Sequence, residues 1–482
     1  MAEATAPPEE DLDEHGEPRL RRVMGPGLLL LFIVGDILGT GVYALTGDVA
    51  AEVGGAAWLP FLVAFAVALV TAFSYLELVT KYPQAAGAAL YTHKAFGVHF
   101  FTFVVAFAVM CSGITSASTA SAAFASFVND GFTLGLDTNG GWTLLIALAF
   151  MALIGVVNVR GVGESVKANV VLTLVELSGL LMVIFIGIYA MTQGNADFTE
   201  VTIFQSEEGK SAFFAVTAAT TLAFFAMVGF EDSVNMAEET QDPSRIFPKI
   251  MLTGLGITGT IYVLVSITAV ALVPVGDLTN DDLPEALVQV VQAGAPGLPM
   301  DRIFPFIAMF AVANSALINM LMASRLLYGM AQQDVLPRSL GRVHPVRRTP
   351  YVSVAFTTLI AIGLISYVVL RLDEDAISLL GGTTSLLLLC VFTVVNIAVL
   401  VLRRDRVEGP HFTTPTFLPV LGALLCAFMT GPWARDEEQM KQYEIAGWLL
   451  VVGIVLWLIT WFLNRGVRAK KTGFRNVEDL KG

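Results

Sequence analysis

Long apolar runs separated by short charged patches make up most of the chain. A helix that crosses a hydrocarbon core of about 30 Å needs roughly 20 mostly apolar residues. Twelve runs meet that need: 25–50, 57–80, 98–128, 141–159, 166–191, 211–236, 249–273, 302–331, 351–370, 377–402, 416–433 and 444–464. The sixth, tenth and eleventh are interrupted or short. None alternates apolar and polar residues as a strand of a membrane barrel does. The pattern predicts an all-α polytopic membrane protein of about 12 transmembrane helices. The longest connection on the outer side, 274–301, contains "VGDLTNDDLPEALVQVV". It reads either as one amphipathic helix capping that face or as a solvated acidic loop.

Composition agrees with the pattern. Of 482 residues 55% are hydrophobic and 14% charged, where a soluble protein carries about 25% charged residues. Basic residues concentrate on the cytoplasmic side of membrane proteins. With the N-terminus inside, every Lys and Arg except Lys210, Arg302, Arg371, Arg435 and Lys441 falls on inner segments. Both termini are therefore expected in the cytoplasm, with the protein in the cell membrane and the lipid bilayer as its solvent. The acidic, Pro-containing stretch 1–22 reads as a disordered tail and not as a cleavable signal. Residues 23–402 form a ten-helix core, 403–464 carry helices 11 and 12, and 465–482 are a basic cytoplasmic tail. The net charge of −13 identifies no partner, because the two signs are segregated.

Chemistry of the usual enzymatic kinds is missing from the pattern. Cys111, Cys390 and Cys426 lie inside apolar runs at no metal-binding spacing, so they read as small hydrophobes. The five histidines are scattered near loops, and there is no phosphate loop or nucleophile elbow. The expectation is no enzyme, no cofactor, no metal and no nucleic-acid partner. Nothing in the pattern speaks to the oligomeric state.

Two spans carry residues that a plain anchor does not need. The first reads "IVGDILGTGVYALTG" (33–47), with Gly39-Thr40-Gly41 at mid-span and Asp36 three positions before it. The sixth reads "TTLAFFAMVGFEDSVNMAEE", with Gly229 followed closely by Glu231 and Asp232. A span tolerates non-helical backbone only where it faces protein or a water-filled cavity. Adjacent carboxylates at that depth are normally aimed at a cavity or a polar partner. A lone Gly-x-Gly fits helix packing, but breaks five spans apart form the pattern of an inverted five-plus-five repeat. There a substrate sits between two discontinuous helices near the midplane. Free N–H groups at the start of a half-helix favour an anion, and unpaired carbonyls at the end of one favour a cation. Together they fit a zwitterion, the backbone of an amino acid.

The motifs resemble the amino acid–polyamine–organocation superfamily of permeases over about 20–460. The likeness rests on Gly39-Thr40-Gly41-Val42, on "SYLELVTKYPQAAGAALYTHKAFG" (74–97), on "EETQDPSRIFPK" (238–249) and on "SRLLYGMAQQDVLPRSLGRVHPVRRTP" (324–350). The resemblance implies the twelve-span inverted repeat and a secondary transporter of amino acids or amines. It also implies that the substrate carboxylate meets the backbone at Thr40 and Gly41, with Gly39 beside them in the substrate-binding set. The amine would meet carbonyls at Ile37, Phe225 and Val228, beside Gly229. Phe225 matches an aromatic that covers the substrate, and Glu231 a carboxylate that some members carry. Glu77, Glu239 and Arg245 read as loop ion pairs or caps.

Several relatives place a lysine midway along the fifth span, where this chain has Glu176. A lone buried carboxylate can carry a proton through a transport cycle. Glu176 and Asp36 are therefore the candidates for proton coupling. Sodium is the lesser alternative, with Asn314, Ser315 and Asn319 of span eight as further oxygen ligands. The small polar residues of "CSGITSASTASAAF" (111–124) either line the path or serve helix packing. Backbone contacts recognise every α-amino acid alike, so the particular substrate is not written in these motifs. A polyamine permease or exchanger, a transporter-like sensor and a channel are the competing functions.

Overall fold

The computed structural model describes residues 24–463 apart from 85–86, 138–139, 161–164, 207–209, 281–282, 334, 345–346, 348, 373–374, 406, 408 and 438. Both expected tails, 1–22 and 465–482, lie outside the described residues, as do Asp334 and Arg348 of the fourth motif.

The described chain is helical, with two isolated bridges and no strand. In order the helices are α1 (Pro26–Leu38), α2 (Thr40–Val53), α3 (Trp58–Lys81), α4 (Gly87–Phe96), α5 (His99–Phe132) and α6 (Gly141–Arg160). Next come α7 (Ser165–Thr192), α8 (Ala212–Met227), α9 (Phe230–Val234), α10 (Pro243–Leu272), α11 (Val275–Leu278) and α12 (Ala286–Gly294). The last five are α13 (Met300–Gln332), α14 (Tyr351–Tyr367), α15 (Ala376–Leu402), α16 (Phe417–Met429) and α17 (Lys441–Leu463).

With α1–α2 and α8–α9 each read as one broken span, eleven spans among the described residues are long and apolar enough to cross a membrane. The expected eleventh span is shorter than the sequence suggests, because α16 has only 13 residues, about 20 Å at 1.5 Å per residue. The tenth span, expected among the interrupted or short ones, is one unbroken 27-residue helix, α15. Its start is fixed by Asp375, whose carboxylate accepts the N–H groups of Ile377 and Ser378 at 3.2 and 2.7 Å. That is an N-cap satisfying orphan donors of the first turn.

Of the two readings of 274–301 the structure takes the helical one. Residues 286–291 of α12 are buried, and the helix packs against α2, α7, α10 and α13. At the centre α5 runs against α13 and α15, most of its length buried. At the opposite end of the bundle Glu77 of α3 pairs with Arg403, Oε1 to Nε at 2.9 Å and Oε2 to Nη2 at 2.8 Å. The expected ion pair is thus present, and it ties α3 to the chain leaving α15. Lys81 adds bonds to the carbonyls of Leu402 and Asp405, each 2.6 Å.

Candidate substrate site

Both expected breaks are present. Helix α1 stops at Leu38, Gly39 takes φ −25° and ψ −150°, and α2 resumes at Thr40. The first break is thus one residue wide, narrower than an unwound Gly-Thr-Gly. As the first residues of α2, Thr40 and Gly41 have N–H groups with no carbonyl one turn earlier in their own helix. In the sixth span α8 stops at Met227, Val228 is extended, and Gly229 takes φ +114° before the short α9. That φ is open to glycine and costly for other residues.

The two breaks lie against each other. A Cβ on Gly229 would stand 2.8 Å from the Asp36 carbonyl oxygen and 3.2 Å from the Ile37 nitrogen. A Cβ on Gly41 would stand 2.4 Å from Cα of Ala226. Each glycine therefore lets one half-helix approach the backbone of the other broken span. Packing and unwinding, weighed as alternatives for Gly-Thr-Gly, are both served.

Between them lies a small cavity of about 30 Å³. Ile37, Gly39, Thr40, Gly41, Phe225, Val228, Gly229, Glu231 and Asp36 all line it. Among the described lining residues none is Lys, Arg or His. Asp36, Glu231 and Asp232 supply carboxylates, while Ser112, Ser116, Ser315, Asn319 and Thr384 supply neutral polar groups. The Thr40 hydroxyl is buried and has no hydrogen-bond partner, and one Asp36 carboxylate oxygen is likewise unpartnered. Ser112 and Ser116 belong to the small polar stripe of span three and line this cavity.

Two expected contacts differ in detail. The Ile37 carbonyl, expected to be open for an amine, already accepts the buried Tyr262 hydroxyl of α10. Its second lone pair is what a ligand would use. Glu231 turns back to accept the Gly229 N–H at 2.9 Å, so one of its oxygens caps α9. Tyr262 was not singled out from sequence, and neither was Thr384; the polar pair in "LLGGTTSLLL" was the available signal for the latter.

Glu176 does not reach the cavity. It sits on α7, fully buried, with neither carboxyl oxygen hydrogen-bonded. The Asn314 amide stands beside it, but its Nδ2 is engaged with Asn169 Oδ1 at 3.2 Å. The Tyr43 hydroxyl of α2 donates to the Glu176 backbone carbonyl at 2.6 Å. The carboxylate nevertheless lies within electrostatic reach of Asp36. Among the described residues no group of three or more His, Cys, Asp or Glu is placed to hold a metal.

Beyond Phe225 the space widens into a vestibule of about 700 Å³. Around Gly381 of α15, Leu45, Phe225 and Thr119 converge to within 3.3, 3.5 and 3.6 Å of where a Cβ would stand. This constriction separates cavity from vestibule. Carboxylates Asp48, Glu52, Glu285, Asp375, Asp436 and Glu437 line the vestibule. Burial, then Asp130, Asp375 and Asp48 nearby, push the Glu285 carboxyl well above the usual range.

Comparison with known proteins follows the same course. The amino acid permease family matches residues 28–463. A branched-chain amino acid permease of Bacillus subtilis is 26% identical over 463 residues, covering 92% of each chain. A methylthioribose transporter of the same organism is 26% identical over 84% of this chain and 87% of that one. A chloroplastic cationic amino acid transporter of Arabidopsis thaliana is 29% identical over 68% of this chain and 58% of that one.

Proposed function

The chain belongs to the amino acid permease family, and from that premise we propose a secondary transporter of neutral or cationic amino acids. The observation that carries this reading is the cavity where the two broken spans meet, walled by Asp36, Glu231 and Asp232 with no basic residue among the described lining. The carboxylate of the substrate meets the N–H groups of Thr40 and Gly41, favoured by the start of α2. Its amine meets the free lone pair of Ile37 and the last carbonyls of α8, at Phe225 and Val228. Relatives named for branched-chain and for cationic amino acids support both side-chain classes.

The protein works as a multi-pass protein of the cell membrane, embedded in its bilayer, with both ends in the cytoplasm. Coupling is to protons. Asp36 is the carrier on the path, and Glu176 the buried partner behind α1 whose charge state Asp36 feels. Sodium is the second choice; the Asn314 and Asn319 Nδ2 groups are engaged with Asn169 and with the Ser315 carbonyl, which leaves their Oδ1 atoms as the ligands it would use.

An acidic side chain in this cavity would face carboxylates unscreened by water. Like charges at such separations repel by about 4 kcal/mol at an effective dielectric near 20. Competition for uptake into proteoliposomes, at pH 7, tests the reading. Leucine, alanine or lysine should compete, and glutamate should not. Glutamate competing as strongly as the neutral amino acids would refute the charge argument.

A further inference from the structure

Lys210 stands at the rim of the vestibule, two residues before α8. Its Nζ lies 2.6 Å from Glu52 Oε2 and 2.5 Å from Asp436 Oδ1. Gln439 closes the ring, its Nε2 donating to Glu52 Oε1 at 2.8 Å and to Asp436 Oδ2 at 3.4 Å. These four residues come from three separate parts of the fold. Glu52 ends α2, Lys210 precedes α8, and Asp436 and Gln439 lie in the connection between α16 and α17. Thus α2 and α8, the half-helices on the vestibule side of the two breaks, are both tied to a segment that carries neither break.

The charge pattern makes the lysine decisive. Glu52 and Asp436 face each other, and the other carboxylates lining the vestibule have the same sign. No Lys or Arg is among the described residues that line it. The side chains of Lys210, Glu52 and Asp436 are only 13, 14 and 29% exposed. Water therefore screens the ring less than it screens a surface pair, and both carboxylates hold the Lys210 ammonium above its usual range.

We propose that Lys210, Glu52 and Asp436 form an ionic clamp that keeps the vestibule side of the cavity closed. With the clamp made, α2 and α8 are held to the α16–α17 connection, and Leu45 and Phe225 stay converged at Gly381. With Lys210 replaced by methionine, the bridge between Glu52 and Asp436 is lost and the two half-helices are no longer held to that connection. The significance of the clamp for transport rests on the function proposed above; its effect on access to the cavity does not.

Thiol labelling tests it in the full-length protein with Cys111, Cys390 and Cys426 replaced by alanine. Ser116→Cys reports from the cavity and Ser378→Cys from the vestibule. A membrane-impermeant thiol reagent is applied to cells from the vestibule side, without any substrate. Lys210→Met should raise the labelling rate at 116 by about fivefold or more, the scale of losing one charge-assisted contact, and leave the rate at 378 within about twofold. The charge-exchanged pair Lys210→Glu with Glu52→Lys should return the rate at 116 toward that of the parent. Asp436→Asn, which keeps Lys210, serves if the methionine variant does not fold, with a smaller rise expected. Equal or slower labelling at 116 in these variants overturns the clamp. Loss of uptake for every amino acid and amine would refute the transport reading and leave the labelling result standing.

Discussion

Adding one methyl group at Gly41 should disturb both stability and binding. The new Cβ would stand 2.4 Å from Ala226 Cα, 2.6 Å from Ala226 Cβ and 2.9 Å from Ala226 N. Carbon atoms rest about 3.5–4.0 Å apart, so α2 and α8 must separate by about 1 Å at this point. Overpacking a close-packed interior costs about 1–3 kcal/mol. Here helix backbone has to move and no flexible side chain can yield, which puts Gly41→Ala at about 2–3 kcal/mol. The displaced groups are the ones proposed to hold the substrate. The same energy taken from the bound state corresponds to about 30- to 150-fold in Kd. Thermal unfolding in detergent, with and without leucine or lysine, measures both quantities. Gly256→Ala on α10 is the matched control, because its Cβ would meet nothing within 4 Å. It should stabilise by about 0.5–1 kcal/mol through the helix preference for alanine. A Gly41→Ala protein as stable as Gly256→Ala, with unchanged substrate affinity, would refute the reasoning.

Two further outcomes follow from the buried carboxylates. Uptake should quicken as external pH falls; Asp36→Asn should lose that dependence while still exchanging substrate, and Glu176→Gln should shift it; uptake that tracks sodium and ignores pH would reverse the assignment. Glu285 keeps its proton to higher pH in the fold than when unfolded, so the folded state binds the extra proton and stability falls as pH rises above about 4.3. Glu285→Gln should therefore raise the unfolding midpoint at pH 7.5, with a smaller gain at pH 5, and a lower midpoint at pH 7.5 would count against it.

The sequence by itself determined the membrane-spanning architecture, since a bilayer demands about 20 apolar residues per crossing and leaves that demand in plain view. It also located both breaks, because glycines and carboxylates are conspicuous in an apolar run. Gly39, Gly229 and Asp36 were legible for this reason. Only the tertiary structure decided what each break touches. That Gly41 packs on Ala226 and Gly229 on Asp36 depends on two spans nearly 190 residues apart meeting face to face, and no local pattern encodes such a meeting. The same holds for Tyr262, whose hydroxyl is spent on the Ile37 carbonyl. Glu176 read as a coupling carboxylate in one dimension, and only the structure places it on α7 behind α1, outside the lining of the cavity. The clamp was the least visible of all. Lys210, Glu52 and Asp436 are ordinary loop and helix-end charges along the chain, and only packing of α2, α8 and the α16–α17 connection brings their charged atoms within 2.6 Å.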